Sequence, residues 1–244
     1  MKEDLWEASA GWWQSTFTEG ADAEYDEQIL PLAAEHLAGA ARVLDVGTGE
    51  GQIARLATAG GATRVVGVDP TVGQLETARA RAGGPAYARA VATALPFPEA
   101  SFDAAVACLV FEHIDDAATA LAEVGRVLAD GGRFLFFLNH PLLQVPGSGW
   151  IDDQILDPPE QYWRVGPYLV EDTTLEQVDN GLFLPFVHRP LSRYVNTMAA
   201  NGLVIRHMEE PAPAPGFLAR SPEYQEASTI PRLMLLVAQR EARE

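Results

Sequence analysis

The stretch Val43-Leu44-Asp45-Val46-Gly47-Thr48-Gly49-Glu50-Gly51-Gln52 sets three glycines at alternate positions directly after a short apolar run. An apolar run ending in a glycine-rich bend, followed by the amphipathic pattern of Ile53, Leu56 and Ala57, reads as strand, turn and helix. The same rhythm repeats downstream. Arg64–Val68 reads as a second strand, with Val72, Leu75 and Ala78 marking the next helix before Gly83-Gly84. Ala86–Val91 and Phe102–Leu109 read as strands three and four. A helix that Asp116 can cap carries Leu121, Val124 and Leu128, and Gly131-Gly132 turns the chain into the apolar Phe134–Leu138. Strands alternating with helices predict a parallel α/β sheet covered on both faces.

Outside this core the pattern changes. Residues 1–41 read as helical and aromatic, with Trp6, Trp12, Trp13, Phe17 and Tyr25. From His140 to about Arg189 the alternation breaks, and Asp179-Asn180-Gly181 between Tyr168–Val178 and Leu182–His188 signals a hairpin. Pro190–Asn201 reads as a helix, and Leu203–Met208 and Leu233–Gln239 as closing strands. The expected organisation is one domain over 1–244. It comprises a helical lid (1–41), a cofactor-binding core (42–139), a substrate-side insertion (140–189) and the C-terminal part of the sheet (190–244).

The charge balance restricts the partners. Net charge is −17, and residues 1–41 carry nine acids against one base. Such a surface repels phosphate backbones and anionic membranes, so neither nucleic acid nor membrane is expected as a partner. Met1-Lys2-Glu3-Asp4 lacks the features of a signal peptide. Cys108 stands alone, so no internal disulfide forms and a cytoplasmic location is expected. A homodimer is compatible with this reading.

In a parallel sheet, ligands sit beyond the carboxyl ends of the strands, where a glycine turn lets the backbone approach closely. Dinucleotides and S-adenosylmethionine both use such a turn. The spacing here is one residue tighter than the dinucleotide pattern. Asp45 and Glu50 also flank the place a pyrophosphate would take. Like charges about 4 Å apart cost about 4 kcal/mol per pair at an effective dielectric of about 20. Those carboxylates favour a ligand bearing a sulfonium and an ammonium. Asp69, eighteen residues after Gly51, is placed to accept hydrogen bonds from ribose hydroxyls.

VLDVGTGEGQIA, VVGVDP, ALPFPEASFDAAVACLVFEHI and LADGGRFLF together resemble the successive motifs of class I S-adenosylmethionine-dependent methyltransferases. The similarity is to the branch with the ubiquinone/menaquinone C-methyltransferases (methyltransferase type 11). It covers roughly residues 25–140. The resemblance implies a Rossmann-like, seven-stranded, mostly parallel sheet with its last strand antiparallel. It implies S-adenosylmethionine as cofactor, with Asp45, Gly47, Thr48, Gly49 and Gly51 along its methionyl end and Asp69 on its ribose. Pro70 and Val72 would lie beside adenine, Cys108 and Leu109 on the far side, and Tyr25 belongs to the lid above. Relatives place an acid where this chain has Val91. Either the backbone at Ala92 or the hydroxyl of Thr93 takes that role, or adenine affinity is reduced.

Methyl transfer from a sulfonium is an in-line displacement that depends chiefly on alignment, and a base is needed only if the acceptor loses a proton. His113, His140 and His188 are the candidate bases, while His36 and His207 look like surface positions. Trp12, Trp13, Trp150, Trp163 and Tyr168 are the candidate walls of an aromatic or apolar acceptor site. Asp152-Asp153 has no further spaced ligands, so no metal is expected. Two rivals stay open: a non-catalytic protein that binds the same cofactor, and an NAD-dependent oxidoreductase. The second is weakened because the only lysine is Lys2.

Overall fold

The computed structural model describes residues 2–17, 22–220 and 225–242. Its frame is a seven-stranded sheet built from β1 (Arg42–Val46), β2 (Arg64–Asp69), β3 (Ala86–Arg89), β4 (Phe102–Cys108), β5 (Leu128–Asn139), β10 (Leu203–Glu209) and β11 (Leu233–Arg240). The order is β10-β11-β5-β4-β1-β2-β3. Neighbours from β5 to β3 run parallel, and β11 alone runs antiparallel to both of its neighbours.

Alternate residues of each central strand feed two cores. Leu44, Val46, Ala105, Ala107, Phe134 and Phe136 pack under α5 (Ala117–Val127) and α6 (Leu191–Ala200). On the opposite face Val43, Ala104, Val106, Leu135 and Phe137 pack under α2 (Leu30–Leu37) and α3 (Gln52–Ala59). Strands covered on both sides lose the polar alternation of a half-exposed sheet, which is why these runs are continuously apolar. Asp116 caps α5 as its position suggested, its carboxylate accepting from Thr119 N at 3.0 Å. After β1 the chain leaves for β2 and β3 on one side and returns as β4 on the other. The sheet therefore opens a crevice between the carboxyl ends of β1 and β4.

Residues 140–189 add no strand to this sheet. They form two separate ribbons, β6 (Gly149–Asp153) with β7 (Glu160–Arg164), and β8 (Asp172–Asp179) with β9 (Leu182–His188). The second is the expected hairpin, Gly181 taking the left-handed conformation at its turn (φ +75°). Its first strand begins at Asp172 rather than Tyr168. The first ribbon was not anticipated. At the other end of the chain, α1 (Lys2–Phe17) lies across the N-terminus of α4 (Val72–Ala80). Glu7 of α1 accepts from Val72 N and Gly73 N, both at 2.8 Å.

Candidate active site

The crevice is a cavity of about 410 Å³. Its floor is the glycine bend, and the three glycines serve different ends. A Cβ on Gly47 (φ +71°) would stand 2.4 Å from Val110 Cγ2, so the bend and the chain after β4 touch through a bare backbone. A Cβ on Gly49 (φ +53°) would meet no atom within 4 Å. Gly49 lines the cavity, so its bare face is presented to whatever the cavity holds. Gly51 stands outside the lining and begins α3 in a left-handed conformation.

Two carboxylates hold this bend in shape. Asp45 Oδ2 accepts from the Thr48 hydroxyl at 2.6 Å and from Ala54 N at 3.1 Å. Burial pushes its pKa up to about 6, against those two bonds. Asp69 accepts from Gly49 N at Oδ2 (2.9 Å) and from Thr71 N at Oδ1 (2.8 Å). Burial raises its pKa as well, with both bonds opposing. Each Asp69 oxygen accepts one of these backbone bonds and can accept another, the donor pattern a ribose diol presents.

Glu50 corrects the electrostatic reading of the bend. Its carboxylate lies 2.5 Å from the Arg81 guanidinium and 3.7 Å from that of Arg55. Two cations behind the bend offset its charge, and Glu50 lines the cavity together with Asp45, Asp69, Asp115 and Asp116. Among the described residues that line the cavity, none is arginine or lysine. A bare glycine face and an acidic lining with, among the described residues, no arginine or lysine suit a nucleoside that carries positive charge, and the residues present fit S-adenosylmethionine.

Tyr25, Thr48, Pro70, Ala92, Thr93, Cys108 and Leu109 also line the cavity. The Cys108 thiol donates to the Tyr25 hydroxyl at 3.7 Å, and burial drives both groups well above their ordinary pKa. Leu109 adopts a left-handed conformation (φ +55°), strained for a residue with a side chain. There the chain turns off the sheet toward Val110 and His113. Val72 is not part of the lining, and it is tied to Glu7 through its N–H.

Of the three histidines, only His113 reaches the cavity. Its Nδ1 donates to the Pro185 carbonyl at 2.8 Å, so Nε2 carries the lone pair. The ring is flanked edge-on by Trp6 (4.7 Å between centroids) and Phe186 (4.6 Å). Burial pushes its pKa down to about 4, which keeps it neutral at physiological pH. His140 is turned away. Its Nε2 is 2.7 Å from Glu210 Oε1 and its Nδ1 accepts from Leu142 N. His188 is buried, donating through Nε2 to the Tyr168 carbonyl at 2.8 Å.

The aromatic set divides in the same way. Trp13 lines the cavity, and Trp12 instead meets Trp13 and Phe17 edge-on. Trp150 and Trp163 face each other across the β6–β7 ribbon, and the Tyr168 hydroxyl accepts from Leu191 N. Trp6, Trp13, Val110 and Ile114 line the cavity instead. Trp6 escaped the sequence reading. Its spacing of seven from Trp13, two helical turns on one face, is the signal that marks the pair.

A methyltransferase-domain family model matches residues 44–136. An O-methyltransferase of Aspergillus nomiae is 32% identical over 167 residues, covering 59% of this chain and 74% of that protein. The demethylmenaquinone methyltransferase of Thermus thermophilus is 36% identical over 121 residues, covering 48% of this chain and 54% of that one. The chain spans about half the length of the curated relatives it matches first. The solved S-adenosylmethionine-dependent methyltransferase of Mesorhizobium loti is 30% identical, covers 90% of this chain and 98% of its own, and superposes with a TM-score of 0.74. Sheet order, glycine bend, paired acids and these likenesses agree: the chain belongs to the class I S-adenosylmethionine-dependent methyltransferases.

Proposed function

We propose that the chain transfers a methyl group to a small acceptor with an aromatic or otherwise apolar body and a hydroxyl or similar proton-bearing nucleophile. The carrying observation is the continuity of one cavity. One end lies on β1 and β2 with Asp45, Glu50 and Asp69, and the other is walled by Trp6, Trp13, Val110 and Ile114 around His113, with Asp115 and Asp116 beside them. Among the described residues no helix is long and apolar enough to cross a membrane. The net charge of −17 supports a small-molecule acceptor over a nucleic acid, and the lone buried thiol of Cys108 suits a cytoplasmic protein.

S-adenosylmethionine, when bound, supplies an activated methyl group on a positively charged sulfur. Asp69 would hold the ribose hydroxyls, with Gly49 against the nucleoside. Asp45, Gly47 and Thr48 would hold the methionyl end, and Pro70 with the chain from Ala90 to Thr93 would border adenine. Neutral His113 accepts a hydrogen bond at Nε2 from the acceptor's nucleophilic group. It thereby orients that group and takes its proton as the bond to the methyl carbon forms and the carbon–sulfur bond breaks. Trp6 and Trp13 exclude water from above.

Titration with S-adenosylhomocysteine tests the cofactor end. Removing the charged acceptor in Asp69→Ala deletes contacts worth about 1.5–3 kcal/mol, so affinity falls roughly 10–150-fold. Equal binding by parent and variant overturns the reading. For the acceptor end, labelled-donor turnover over a panel of phenols and other hydroxylated rings should show His113→Gln losing kcat while S-adenosylhomocysteine affinity holds. Turnover with no panel member, beside normal cofactor binding, favours the non-catalytic alternative.

A further inference from the structure

Away from the cavity, α2 and the edge strand β10 meet through three side chains whose donor atoms converge. His36 Nε2 lies 3.0 Å from Glu209 Oε1, and His207 Nε2 lies 2.8 Å from the same oxygen. The two imidazole rings stand 5.4 Å apart at 41°. All three ligand atoms fall within 4.8 Å of one another. His207 and Glu209 are two apart on one strand and therefore project from the same face, while His36 arrives from the last turn of α2.

We propose that His36, His207 and Glu209 form a binding site for a divalent transition cation of the zinc class, clamping α2 to the sheet edge. Two imidazole nitrogens and one carboxylate are a donor set that zinc, cobalt and nickel accept. Calcium and magnesium prefer all-oxygen shells and are disfavoured. The spacing is close to what such an ion needs. Bonds of about 2.0–2.2 Å at tetrahedral angles put neighbouring ligand atoms roughly 3.3–3.6 Å apart. The two carboxylate–imidazole separations of 3.0 and 2.8 Å need to open by roughly 0.3–0.8 Å, within the reach of side-chain torsions.

The site is also accessible. The side chains of His36, Glu209 and His207 are 17%, 28% and 50% exposed, so an ion can enter and water can fill the fourth position. None of these residues lines the methyltransferase cavity. The site stands whether or not the proposed acceptor is correct.

Untagged protein stripped with a chelator is titrated with zinc by calorimetry, and with cobalt by visible absorption. One equivalent of zinc should bind, cobalt should give a tetrahedral spectrum, and calcium and magnesium should give no heat. His207→Gln, at a half-exposed edge position, should weaken zinc by more than the roughly 10–100-fold typical of losing an outer-shell partner. It should also abolish the zinc-induced rise in Tm. His36→Gln should do the same, and His140→Gln, whose partner is Glu210, should leave zinc binding unchanged. Absence of a one-equivalent zinc isotherm, zinc binding that survives His207→Gln, or equal dependence on His140 overturns the proposal.

Discussion

Glu7→Ala should loosen α1 from the catalytic face without disturbing the sheet. The N-cap residue of α4, Thr71, makes no side-chain capping bond, so the first-turn donors of that helix depend on another element. Glu7 supplies the acceptors, one carboxylate oxygen for Val72 N and the other for Gly73 N, each at 2.8 Å. Other ties of α1 remain: Gln14 Nε2 donates to Gln74 Oε1 at 3.0 Å and to the Gly73 carbonyl at 3.4 Å, Gln52 Nε2 donates to the Phe17 carbonyl at 3.1 Å, and the Trp6 ring meets His113. Losing a capping side chain costs about 0.5–2 kcal/mol, and the exposed setting of Glu7 places this one low in that range. A loss of about 1 kcal/mol raises the open population of α1 roughly fivefold. Amide hydrogen exchange read by mass spectrometry on peptides from residues 2–17 measures this directly, with peptides from β1 and β4 as the internal reference. Faster exchange confined to α1 is the expected outcome. An unchanged α1, or an equal acceleration in β1 and β4, refutes the capping role.

Three further substitutions probe the bend and the buried polar groups. Gly47→Ala puts a methyl 2.4 Å from Val110 at φ +71°, and the clash should lower Tm as well as S-adenosylhomocysteine affinity. Gly49→Ala meets open space at φ +53°, so its cost to folding is limited to the left-handed strain of about 1–2 kcal/mol, while its methyl enters the cavity. It should lose more affinity than Tm relative to Gly47→Ala; the reverse ranking sinks this account of the bend. Glu112, its Oε1 accepting from Asn139 at 2.7 Å, has its pKa pushed up to about 7 by burial, against an ordinary value of 4.5. A raised acid favours folding below its unfolded pKa, and that advantage is lost as pH rises through about 7. Glu112→Gln removes the loss. Urea unfolding should therefore show the variant gaining on its parent between pH 5 and pH 8, by at most about 3 kcal/mol. A difference that does not change between those pH values contradicts the assignment.

The parts legible in the sequence are those whose signal is local. β9 falls on its expected boundaries, and β1 and α3 form as strand and helix around the glycine bend, because a buried strand beside a glycine turn and an Asn-Gly hairpin are each written in a few adjacent residues. The β6–β7 ribbon had no such mark. GWIDD and EQYWR are short, mostly polar or half-exposed, and lack the apolar alternation that reveals a half-buried strand. The insertion as a whole was expected to wall the acceptor. Its tryptophans instead pair with each other, and the closest it comes is through Pro185 and Phe186 at His113. Which way a ribbon leans depends on contacts tens of residues away. The Glu50 ion pair was hidden for the same reason, since Arg81 comes from the far end of α4.

That ion pair changes which charges select the ligand and leaves the direction of selection intact. Arg55 belongs to α3 and Arg81 follows α4, so Glu50 fastens both helices behind the bend while Gly49 faces forward. Were its cations turned toward the cavity, a pyrophosphate would find donors there; instead they are consumed by Glu50. Around the bend Asp45 and Asp69 also line the cavity, with no arginine among their hydrogen-bond partners. Each would oppose a phosphate by about 4 kcal/mol at a separation of about 4 Å, and among the described residues that line the cavity none is an arginine or lysine that would offset it. The preference for a cationic nucleoside thus arises from where the arginines are held as much as from where the acids stand.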